Sequence, residues 1–91
     1  MWRFQFSLEA EVDFARLTRA VQMQVAAKLR WFEANFTHIV PHPLGGKWAG
    51  FFKLRVGDWR VVYEIRNPEQ LVMLHVIDHR SRIYRRTPPR T

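Results

Sequence analysis

No cysteine occurs among the 91 residues, so neither a disulfide nor a thiolate metal site can hold this chain together. Long hydrophobic runs are missing as well: nothing approaches the roughly 20 apolar residues that span a bilayer. Charges at Arg3, Glu9 and Glu11 interrupt the N-terminal segment, which is therefore not expected to act as a secretion signal. Internal repeats and low-complexity stretches are absent, and acidic residues are few, 8 against 15 Lys and Arg. These absences point away from secreted, disulfide-stapled and membrane-spanning classes and toward a cytoplasmic domain held by packing alone. So short a chain supplies one core, and a single domain over residues 1–91 is expected.

What is present is apolar and basic. Hydrophobic residues make up 47% of the chain and aromatics 14%, enough to build a packed interior. The net charge of +7 is unevenly spread. Residues 1–45 carry five basic and four acidic side chains, net +1, while residues 46–91 carry ten and four, net +6. Such asymmetry suits a polyanion or an acidic protein, and equally an ordinary solvated surface; charge alone does not separate the two.

Periodicity divides the chain into a helical half and a strand half. Trp2, Phe4 and Phe6 alternate with polar residues as a first strand. Ser7 is placed to cap a helix whose first turns hold Glu9, Glu11 and Asp13, with Leu8, Val12, Ala15, Phe14 and Leu17 as its expected apolar face. After a break near Thr18–Arg19, Val21, Val25, Leu29, Phe32 and Phe36 recur at steps of three and four and predict a second helix. The prolines and glycines of residues 38–46 end it. From Trp48 the period becomes two. Phe52, Leu54 and Val56 oppose Phe51, Lys53 and Arg55; Gly57-Asp58 turns the chain; Trp59, Val61, Tyr63 and Ile65 oppose Arg60, Val62, Glu64 and Arg66. Leu71 to Ile77, almost wholly apolar, suits a central strand, and Ile83-Tyr84 leaves room for a short edge strand. The expected class is α+β: two N-terminal helices on one face of a small, mainly antiparallel sheet, in the order βααβββ, with the other face partly open.

Basic residues should converge on that open face: Lys53, Arg55 and Arg60, then His79, Arg80 and Arg82 with Tyr84 where the last long strand ends. Cations around a concave surface suit phosphates, and aromatics among them suit bases. The bland alternative is the solvent-facing side of an antiparallel sheet. Glu64 shares a strand face with Arg60 and is its expected ion-pair partner. The spacings His38/His42 and His75/His79 do not suggest a metal site, because four residues along a strand separate side chains by roughly 13 Å. No metal or other cofactor is expected. Gly45-Gly46-Lys47 lacks the residues of a phosphate-binding loop and is a turn.

The string Phe52-Lys-Leu-Arg-Val-Gly-Asp-Trp-Arg-Val-Val-Tyr-Glu-Ile65, followed by Ile77-Asp-His-Arg80 and Ile83-Tyr84-Arg85, closely resembles the signature of the RelE/ParE toxin superfamily. The likeness extends over nearly the whole chain. It implies a toxin of a type II toxin–antitoxin pair, neutralised by a cognate antitoxin protein. On the RelE-like branch it implies an endoribonuclease that cuts mRNA in the ribosomal A site; on the ParE-like branch, an inhibitor of DNA gyrase without nuclease chemistry. Matched by motif position, Lys53, Arg60, Arg80 and Tyr84 form the functional set, with Arg55 as a phosphate contact. At position 51 some relatives carry a basic residue and this chain has Phe51, which either stacks on a base or leaves the site catalytically weaker.

RNA cleavage by the 2′-hydroxyl needs a base, charge stabilisation at phosphorus and an acid for the leaving 5′-oxygen. Lys53 is the candidate base, since neighbouring like charges favour its neutral form. Arg60 and Arg80 are the candidate phosphate ligands, and Tyr84 stacks on or orients the nucleotide. His79 is either the acid or a structural histidine closing its strand. Arg82, Arg85 and Arg86 are expected to add diffuse, salt-dependent RNA affinity.

Overall fold

The structure, a computed structural model, describes residues 1–89; the last two residues of the expected domain, Arg90 and Thr91, lie outside the described residues. Strand β1 (Arg3–Phe6) leads into helix α1 (Leu8–Arg16) and helix α2 (Arg19–Asn35). Strands β2 (His42–Pro43), β3 (Phe52–Val56), β4 (Trp59–Arg66) and β5 (Leu71–His79) follow, with single 3-10 turns at Phe36–His38, Gly46–Trp48 and Ile83–Arg85. The sheet order is β1-β5-β4-β3-β2, with β1 parallel to β5 and the other three pairs antiparallel. This is the expected α+β architecture, with the two-residue β2 added at one edge.

Local chemistry sets the element ends. The Ser7 hydroxyl accepts a hydrogen bond from the Ala10 amide at 3.1 Å and donates to the His75 carbonyl at 2.9 Å, so one side chain caps α1 and ties it to β5. Leu17 and Thr18 take extended backbone angles, and Thr18 caps α2 through the Val21 amide. Gly57 sits at φ +59°, the positive angle that the first corner of this two-residue hairpin turn requires.

The main core lies between the helices and the sheet. Phe32, fully buried, meets Tyr63 at 4.9 Å, Phe36 at 5.4 Å and Phe4 at 5.5 Å between ring centroids. Leu54, Val56, Val61, Val72, Leu74 and Ile77 complete the floor. A second, smaller cluster occupies the other face: Trp48, Phe51 and Ile83 pack over Val62 and Val76. The chain around residues 44–51 and the turn at Ile83–Arg85 therefore roof the middle of the face that was expected to be partly open. The cationic end, at the β3–β4 turn, is not covered by that cluster.

Two expectations are corrected. Leu8 and Val12 do not form the apolar face of α1; they are 77% and 42% exposed, while Ala10, Asp13, Phe14 and Leu17 turn inward. Asp13 earns its inward place because β1 ends early: its carboxylate accepts from the Ile77 amide at 2.9 Å, an edge donor that no strand satisfies. Ile83-Tyr84 form a 3-10 turn rather than an edge strand, since Ile83 is drawn into the second cluster.

Replacing Phe32 with Ala removes the ring on which three aromatic contacts and the α2–sheet packing converge. Urea unfolding is expected to show a loss of about 3–5 kcal/mol; a loss under about 1 kcal/mol would mean that the site tolerates the cavity.

Candidate nucleic-acid interface

Alternation along β4 sends Trp59, Val61, Tyr63 and Ile65 under the helices, so Arg60, Val62, Glu64 and Arg66 must face the opposite way. Register extends this to the neighbours. Lys53 lies opposite Val62, Arg55 opposite Arg60, and Arg60 opposite Asp78. Arg60 is only 8% exposed, and its guanidinium Nη1 donates to the Gly57 and Trp59 carbonyls at 2.8 Å each. The cation is thus fixed beneath the hairpin turn with no carboxylate in ion-pair reach among the described residues.

Two groups from the C-terminal segment return to this place. The Arg80 amide donates to the Asp58 carbonyl at 2.8 Å, and its well-exposed guanidinium approaches the Asp58 carboxylate at 3.6 Å. Tyr84 is half-buried beside Trp48, whose indole N–H donates to the Tyr84 carbonyl at 3.4 Å. Its hydroxyl is buried without a hydrogen-bond partner among the described residues. Burial pushes the Tyr84 phenol up from its ordinary value, and the nearby Arg60 cation pulls it back only in part. Lys53, Arg55 and Arg60 therefore share one face of the β3–β4 ribbon, with Tyr84 beside Arg60 and Arg80 against Asp58 in the turn.

Other candidates lie elsewhere. His79 pairs with Trp59 on the helical side of the sheet, with ring centroids 5.4 Å apart, and its Nδ1 meets the Ser81 hydroxyl at 2.8 Å. It is on the wrong face to act with Arg60. Phe51 is 6% exposed and packs edge-on against Trp48 and His75, so it is a core residue with no free ring face for a base. Arg82 is paired to Asp78 at 3.1 Å and lies over Trp59. Arg86, expected to hold RNA, is instead a clamp. Its guanidinium binds Glu9, Asp13 at 3.0 Å and Asp78 at 3.3 Å, joining the C-terminal segment to α1 and β5. Burial opposes its charge, but the carboxylates of Asp13 and Glu9 outweigh that and hold its pKa above the ordinary arginine value. Of the three late arginines, Arg85 alone is exposed without a carboxylate partner among the described residues.

Glu64 also has a different partner from the one expected. A bulge between Val62 and Tyr63 shifts the register and leaves His75 unpaired on β5. The His75 Nε2 then meets the Glu64 carboxylate at 2.9 Å, and Arg66 approaches the same oxygen at 3.2 Å. Burial pushes the Glu64 carboxyl up, while the His75 and Arg66 hydrogen bonds and charges outweigh it and hold the group below its ordinary value. The clamp and this pair escaped sequence reasoning; the one available signal was Asp13, a carboxylate at a helix position whose neighbours face the core. Among the described residues no group of three or more His, Cys, Asp or Glu is arranged to hold a metal ion, and no helix is long and apolar enough to cross a membrane.

The fold is the α+β sheet also found in solved RelE-like structures. A chain of the toxin–antitoxin complex RelBE2 from Mycobacterium tuberculosis superposes with a TM-score of 0.74 at 24% identity, covering 86% of this chain and 96% of that one. The isolated RelE toxin of E. coli gives 0.70 at 18% identity over 87% and 84%. A chain of the E. coli DinJ-YafQ toxin–antitoxin complex gives 0.68 at 20% over 91% and 97%. No curated protein matches the sequence. The sequence profile described as the ParE toxin of the type II toxin–antitoxin system, parDE, matches residues 4–84, and the chain belongs to that family of type II toxins.

Two outcomes follow. Arg86→Gln is expected to lower stability in urea by roughly 1–3 kcal/mol, because it strands hydrogen-bonded carboxylates, whereas Arg85→Gln leaves it unchanged. Equal effects of the two would contradict the clamp. The Glu64 carboxyl titrates lower in the folded chain than in the unfolded one, so its stabilisation is complete above the ordinary value of 4.5 and is lost as pH falls below it. Thermal melts across that range should therefore decline more steeply for wild type than for Glu64→Gln; parallel declines would remove the pair from the account.

Proposed function

We propose that this toxin is a metal-independent endoribonuclease that cleaves mRNA on the ribosome, in the cytoplasm, and is neutralised by a cognate antitoxin protein. The observation that carries the reading is the shared β3–β4 face of Lys53, Arg55 and Arg60, with Tyr84 beside Arg60 and Arg80 at the adjoining turn. Several similar structures are toxin–antitoxin complexes, which supports the antitoxin partner.

In the proposed reaction Lys53 takes the proton from the ribose 2′-hydroxyl. The 2′-oxygen attacks phosphorus, the bond from phosphorus to the 5′-oxygen breaks, and the products are a 2′,3′-cyclic phosphate and a 5′-hydroxyl. Arg60, held rigid by the two turn carbonyls, and Arg80 stabilise the charge that builds on the phosphate oxygens. Arg55 holds an adjacent phosphate. With His79 on the other face, the proton for the leaving oxygen falls to Tyr84. Burial keeps that phenol protonated, with the Arg60 cation beside it. No step requires a metal or an organic cofactor.

The ParE description of the matching family favours a second reading, a protein-binding inhibitor of DNA gyrase. Purified protein in a translating extract, with mRNA 5′ ends mapped, distinguishes them. Wild type is expected to produce discrete new ends. Arg80→Ala should cut slower by about 100-fold or more, the scale of losing one oxyanion ligand, with unchanged melting. Intact mRNA together with blocked supercoiling by gyrase would transfer the assignment to the second reading.

A further inference from the structure

On the outer side of β3, β2 begins only at His42, opposite Lys53, and leaves the edge of β3 unpaired beyond Lys53. A cleft of about 160 Å³ straddles that edge and reaches α2. Lys53 and Arg55 border it from the cationic face, Phe32 and Tyr63 from the helical face, and Lys28 and Trp31 from α2. Trp31 is 46% exposed, with the Lys28 ammonium 4.0 Å from its ring centroid. Among the described residues Lys28, Lys53 and Arg55 have no carboxylate within ion-pair distance, whereas Arg66, Arg80 and Arg82 each have one and Arg86 has three. Tyr63 is 1% exposed, and its hydroxyl makes no hydrogen bond within the described residues although it lies against this cleft. An aromatic wall, a polar group at the floor and unneutralised cations at the rim are the requirements of a single-stranded nucleotide: a base to stack and a phosphate to neutralise.

We propose that the cleft between α2 and the β3 edge is a nucleotide subsite, in which a base beside the scissile position stacks on Trp31 while Lys28 and Arg55 hold its phosphates. The inference rests on the nuclease reading for its substrate. It adds a path for the strand, from the cationic face past the start of β2 at His42 onto α2. Lys28 and Trp31 act there in binding and take no part in bond cleavage.

The test uses the full chain and an eight-nucleotide single-stranded RNA bearing 2′-O-methyl groups, which cannot be cleaved by internal attack. Affinity is measured by fluorescence anisotropy across a salt series. Trp31→Ala should weaken binding by roughly ten-fold or more, and Trp31→Phe should recover most of it, as stacking requires. Lys28→Met should flatten the plot of log affinity against log salt by about 0.7, the share of one phosphate contact on a single strand. Both side chains are on the surface of α2, and circular dichroism melts establish that the variants fold. In the extract assay the same variants should need more ribosome-bound message for half-maximal cleavage while keeping the wild-type maximal rate. Wild-type affinity and salt slope in both variants, or no binding of the oligonucleotide by wild type, would overturn the subsite. Cleavage by wild type with that result leaves the nuclease standing without it; binding that depends on Trp31 with no cleavage of message supports the subsite and removes the nuclease.

Discussion

The alternation of β4 governs the molecule. Tyr63 packs against Phe32 and stacks near Phe52 at 5.6 Å, and burial raises its phenol to about 12. A ring so placed cannot leave the core, and a one-residue slip of β4 would exchange it for Val62 or Glu64. Because strand period is two, Tyr63 beneath the helices obliges Arg60 to point the other way, and pairing carries Arg55 and Lys53 with it. The cationic face is therefore a geometric consequence of the aromatic core. A chain that kept one and lost the other would have to break the β3–β4–β5 register.

Much of this was legible from residue order. Ser7, the break at Thr18, the α2 stripe and the hairpin at Gly57 are local signals whose partners lie within a few residues, and each predicts its element on its own. What escaped depends on residues distant in order. Leu8 and Val12 look like a helix face until Asp13 is required to cap Ile77, which rotates α1 so that they meet water. Phe51 looks like a residue of the open face until Trp48 and Ile83 fold over Val62 and Val76. Glu64 looks like the partner of Arg60 until the bulge at Val62 presents His75. Apart from Asp13 itself these pairings leave little periodic trace, since the His75–Glu64 and Asp13–Ile77 bonds span 11 and 64 positions.

Charge followed the same logic. The excess of basic residues after residue 45 suggests that late arginines spread affinity along the C-terminal segment. Carboxylates from α1 and β5 instead absorb Arg82 and Arg86, so part of that positive charge serves to fasten the chain end that carries Tyr84. Lys53, Arg55 and Arg60 on the β3–β4 face are among the late cations left without a carboxylate partner among the described residues. Sequence charge counts the cations correctly and locates them poorly, since neutralisation is a property of the fold.

Backbone amide NMR during titration with a cleavage-resistant RNA tests most directly that this sheet end meets nucleic acid. The account predicts that the largest shifts fall in residues 53–60 and 80–84. Shifts centred on α1 and the Arg86 clamp, or none at saturating RNA, would contradict it.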